Sequence, residues 1–107
     1  MTDPAEILLE IAPPKSDKHL QLQTLILKSI VREQEPRKTP ITLAIARAIR
    51  QLTDKLTAEE LAFLVWTSFP EELEKLSIEI PPKEKHEQIA KKLRQKGILI
   101  NLKELFP

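Results

Sequence analysis

Apolar residues recur along this chain at helical spacing, in stretches that proline separates. Prolines stand at 4, 13, 14, 36, 40, 70, 81, 82 and 107. Asp3 before Pro4 predicts a short helix, with Glu6 closing a capping box and a stop near Ile11 ahead of Pro13-Pro14. Ser16 or Asp17 predicts the start of a second helix reaching about Gln34. Leu22, Leu25, Ile26 and Ile30 form its stripe, and Leu20, Leu27 and Val31 widen it. After a linker from Glu35, Thr39 caps a third helix with Pro40 in first position. There Ile41, Ala44, Ile45, Ala48, Ile49 and Leu52 predict the buried face, which leaves Arg47, Arg50 and Gln51 outside.

Thr57 and Glu60 predict a capping box for the fourth helix, with Leu56 stapled onto Leu61. Leu61 to Trp66 is apolar all round, the mark of the most buried helix. Pro70 to Leu76 reads as a short acidic helix. Ser77 to Pro81 alternates like a strand, yet the double proline that follows favours an extended connector. The last long helix is expected from Pro82 to Lys96, with His86, Ile89, Ala90 and Leu93 inward. Gly97, the sole glycine, sits where a left-handed cap is wanted. Asn101 and Glu104 form another box, with Ile100 and Leu105 as staple, for a closing turn ending at Phe106. The expectation is an all-α fold: one domain over 1–107, a compact bundle of four main helices with short additional helices.

Composition narrows the chemistry. A single glycine excludes glycine-rich phosphate loops, and the absence of cysteine excludes disulfides, thiol catalysis and thiolate zinc sites. Two histidines far apart offer no metal set, so neither metal nor cofactor is expected. His19 is expected at the surface, and His86 as a half-buried packing residue. Glu59/Glu60 and Glu71/Glu72 are adjacent carboxylates, and neighbours on a helix diverge by about 100°. Neither pair converges on one substrate atom, no serine has a histidine at recognisable spacing, and an enzyme is not expected. The first residues lack a basic flank followed by an apolar core. The longest wholly apolar run, Leu61 to Trp66, falls far short of the ~20 residues a spanning helix needs. A cytoplasmic protein without membrane contact is the expectation.

Among 107 residues, 17 Lys+Arg face 16 Asp+Glu, but the distribution is uneven. Residues 28–55 carry seven basic and three acidic groups, residues 57–80 one basic and six acidic, and residues 81–107 seven basic and three acidic. The near-neutral total therefore conceals two +4 segments around a −5 segment. Arg37, Lys38, Arg47 and Arg50 in the first basic segment are candidates for phosphate contact, as are Lys85, Lys92 and Lys96 on one flank of the last helix. Few aromatics and no glycine-containing turn between helices argue against base stacking or a helix-turn-helix reader. Phe63, Trp66 and Phe69 recur three apart as a ridge beside Glu71 and Glu72, a candidate protein interface if exposed.

A short, cysteine-free, glycine-poor helical chain with basic helix faces resembles the small subunits of CRISPR effector complexes of type I, Cascade-like, organisation. That resemblance is one of overall character along the whole chain and rests on no motif. It implies an antiviral-defence ribonucleoprotein subunit that contacts RNA or single-stranded DNA through the backbone, beside other protein subunits or copies of itself. The alternative expectation is a protein–protein interaction or small regulatory module with no nucleic-acid role.

Overall fold

The computed structural model describes residues 3–31, 39–98 and 101–105. Among them seven helices and no strand occur. Four are long and three are short, so the fold is all-α as the periodicity predicts. The chain divides into two compact units, Met1–Lys55 and Leu56–Pro107.

The first unit holds α1 (Pro4–Ile11), α2 (Asp17–Val31) and α3 (Pro40–Thr53), each packed on the other two. Asp3 caps α1 through its carboxylate, which accepts from the Ala5 amide at 2.9 Å. Ser16, rather than Asp17, caps α2: its Oγ accepts from the His19 amide at 3.1 Å. Thr39 Oγ1 accepts from the Thr42 amide at 3.1 Å, with Pro40 at the first position. The apolar core is wholly aliphatic, built from Ile7, Leu8, Leu22, Leu25, Ile26, Leu27, Ala46 and Ile49.

Two expectations for this unit are corrected. His19 is not at the surface but 6% exposed, with Nδ1 2.7 Å from Ser16 Oγ. The buried face of α3 is rotated from the predicted stripe. Thr42, Ala46, Ile49, Arg50 and Thr53 are buried, whereas Ile41 is 74% exposed and Ala44 is also exposed. The cause is polar: Gln23 Nε2 donates to Thr53 Oγ1 at 2.7 Å, and the Arg50 guanidinium donates to carbonyls around α1. A face chosen by apolar count misses residues that enter a core through hydrogen bonds.

The second unit is organised by α4 (Ala58–Ser68), which contacts α5 (Pro70–Glu74), α6 (Lys83–Gln95) and α7 (Leu102–Leu105). The capping box forms as predicted, Glu60 N–H to Thr57 Oγ1 and Thr57 N–H to Glu60 Oε1. Leu61 through Val65 are buried. Residues 78–80 form a connector without ladder pairing. Helix α6 ends in a Schellman motif: Ile98 N–H donates to Leu93 O, Gly97 N–H donates to Arg94 O, and Gly97 has φ +73°. Leu93 and Ile98, the apolar pair that accompanies this motif, are both buried. Asn101 caps α7 by accepting from the Lys103 amide, and Leu102 N–H donates to Ser68 Oγ, which ties α7 to the end of α4.

Candidate nucleic-acid and protein contact surfaces

The candidate phosphate contacts fall into different environments. Arg37 and Lys38 lie outside the described residues. Arg47 is exposed on α3. Arg50 is a correction: it is 3% exposed, and its guanidinium is engaged inside the first unit. Nη1 donates to Leu8 O at 3.0 Å and Ala12 O at 2.8 Å, and Nη2 donates to Pro13 O at 2.8 Å. Nε lies 3.5 Å from Asp54 Oδ1. The planar fork ties the end of α1 and the following turn to α3, and a group so buried does not reach a phosphate in solvent.

On α6, the flank of Lys85, Lys92 and Lys96 runs beside the start of α4. Lys96 Nζ stands 2.7 Å from Glu60 Oε1, the same oxygen that closes the capping box. Burial alone pushes the Glu60 carboxyl up, but the Lys96 ammonium and the Thr57 amide outweigh it and hold the carboxyl below its ordinary range. Lys85 Nζ pairs with Glu59 Oε2 at 3.5 Å in a solvent-exposed geometry. Within the predicted three-lysine flank, Lys85 and Lys96 each have a carboxylate against them in the second unit, and Lys92 has none among these pairs.

A different cationic set is exposed on the same helix. Lys83, Lys91, Lys92 and Arg94 all face solvent. Lys91, Lys92 and Arg94 fall within a single turn, roughly 4.5 Å of axial rise, and no carboxylate stands anywhere from Gln88 to Ile98. The sequence signal for this set is the adjacent Lys91-Lys92 pair followed by Arg94. A search for one narrow flank passes over it, because the three residues spread around the outer half of the helix.

The aromatic ridge is a further correction. Phe63 is 7% and Phe69 4% exposed, so neither is available as an interface anchor. Phe63 packs with Trp66 at a 6.0 Å centroid distance, and the His86 ring contacts both, at 5.1 and 4.9 Å. Because a carbonyl only accepts, His86 Nε2–H donates to Pro81 O at 2.7 Å, which orients the ring against the aromatics. This is the half-buried packing role expected of His86. Phe69 lies under the Lys103 ammonium, 5.6 Å from the ring centroid. Glu71 is exposed and Glu72 half-buried in the first turn of α5, where carboxylates suit the helix dipole.

Among the described residues, no group of three or more His, Asp or Glu side chains is placed to hold a metal ion, and no helix is long and apolar enough to cross a membrane. No family model matches the chain, and neither a curated protein nor a solved structure matches it.

Proposed function

We propose that this chain is a non-catalytic helical subunit of a nucleoprotein assembly that contacts nucleic-acid backbone through the end of α6. One observation carries this reading: from Gln88 to Ile98 the helix and its cap bear no acid, and Lys91, Lys92 and Arg94 are all exposed there, while Lys96 is paired with Glu60. Phosphates need cationic donors at close spacing and no base-reading geometry, which such a turn offers. The all-helical build resembles that of small subunits of CRISPR effector complexes, which supports an antiviral ribonucleoprotein as the setting.

The test is fluorescence anisotropy of labelled single-stranded RNA, single-stranded DNA and duplex at several salt concentrations. Neutralising about three phosphates of a single strand gives a log-affinity against log-salt slope of about −2. Replacing Lys91, Lys92 and Arg94 together by Glu abolishes binding, and an unchanged helical circular dichroism spectrum shows that the fold survives. Equal affinity of that variant and the parent chain removes α6 from the site.

A further inference from the structure

The rotation of α3 leaves an apolar stripe that the first unit does not cover. Ile41 and Ala44 are exposed, and Ile45, Ala48 and Leu52 are half-buried. Their spacing of three, four, seven and eleven residues keeps them on one face over roughly three turns, about 16 Å of helix. Ala44 and Ala48, one turn apart, form the low edge of this stripe beside the larger side chains of Ile41, Ile45 and Leu52. A low edge of this kind accepts a large apolar side chain from a second helix, as in helix-to-helix recognition through anchors at helical spacing.

Charge decides which helix. From Pro40 to Thr53, α3 carries no carboxylate. Its two arginines differ in availability, since Arg50 is engaged by carbonyls and Asp54 while Arg47 is exposed beside the Ala44/Ala48 edge of the stripe. A second copy docked through the same face would bring the two Arg47 side chains together, a like-charge contact across the two-fold axis. Nucleic acid has no use for an isoleucine-and-alanine stripe. We infer that α3 is a docking face for an acidic amphipathic helix of another protein: its large apolar residues seat over Ala44 and Ala48, and a Glu or Asp beside them pairs with Arg47.

Two fluorescein-labelled synthetic helices test this, each about 18 residues long so that they are helical in isolation. They share one leucine-and-alanine stripe, flanked by Glu in one and by Lys in the other. With the full-length protein, the Glu-flanked peptide should bind roughly tenfold more tightly than the Lys-flanked one at low salt, and the gap should close at high salt. Arg47→Glu should reverse the preference, and Ile41→Asp should remove binding of both. Each residue is exposed, so circular dichroism of both variants should match the parent chain. Equal binding of the two peptides, no binding of either, or a preference unchanged in Arg47→Glu would each overturn the assignment. Sedimentation showing the protein to dimerise, with dimerisation lost in Ile41→Asp, would assign the face to a second copy instead. Arg47→Glu and Ile41→Asp leave α6 unchanged, so their effects stand or fall separately from nucleic-acid binding.

Discussion

Arg50 brings a full charge into the first unit, which is tolerable only because its guanidinium meets three carbonyls and a carboxylate. Removing it leaves the oxygens of Leu8, Ala12 and Pro13 without their donors. Arg50→Met therefore should lower stability by about 2–4 kcal/mol, read as a shift in urea midpoint by far-UV circular dichroism. Arg50→Lys should recover only part of this, since a point ammonium cannot reproduce a fork that spans three carbonyls. Glu60 works at the same scale in the second unit. Its folded-state carboxyl lies below the ordinary value of 4.5, so the folded state favours the ionised form. That contribution is fully present above pH 4.5 and is lost as pH falls through the folded value. Glu60→Gln keeps an acceptor for the Thr57 amide but carries no charge to titrate. Its stability should fall less steeply below pH 4.5 than that of the parent chain, measured by thermal melts across the acid range. Parallel acid limbs for the two proteins would show that Glu60 is not the titrating group.

Helix boundaries were legible in the sequence because they rest on local chemistry. Asp3, Ser16, Thr39, Thr57 and Asn101 act through side-chain bonds to amides two or three residues on, and Pro4, Pro40 and Pro70 occupy first positions. Such rules need no tertiary contact. Gly97 is the same kind of residue at the other end of a helix. Its φ of +73° is what an L side chain resists, while a Cβ there would meet nothing within 4 Å. Gly97→Ala should cost about 1 kcal/mol from backbone conformation alone, and Gly97→Asn less, because asparagine tolerates the left-handed region better. Urea denaturation of the two variants checks the order, and a larger loss for Asn than for Ala would contradict it. The face of α3 was not legible for the converse reason. Arg50 and Thr53 enter the core by bonding to residues dozens of positions away, Leu8 and Gln23 among them. No count of apolar positions along one helix contains that information.

Across the whole molecule, the charge segments were legible as sums but not as pairings. Glu59 and Glu60 of the acidic segment meet Lys85 and Lys96 of the basic one, so part of the polarity is neutralised within the second unit. Aromatic residues are distributed just as unevenly: Phe63, Trp66, Phe69 and Phe106 all fall after residue 55, and the chain has no tyrosine. Intrinsic fluorescence and the aromatic near-UV signal therefore arise from the second unit alone, whereas far-UV circular dichroism reports helices of both. Leu64, 1% exposed on the helix that contacts α5, α6 and α7, is the position where lost volume should be felt most directly by that fluorescence. Leu64→Ala removes buried methyl groups and leaves a cavity that the surrounding helices fill only in part, at a cost of about 2–5 kcal/mol. The urea midpoint followed by Trp66 emission should fall accordingly. Ile26 is the counterpart in the first unit, fully buried and in a stretch of chain that carries no Phe, Trp or Tyr. Ile26→Ala should bring a loss of similar size, followed there by far-UV circular dichroism. A Trp66 midpoint unmoved in Leu64→Ala would mean that α4 is not the packing centre of its unit.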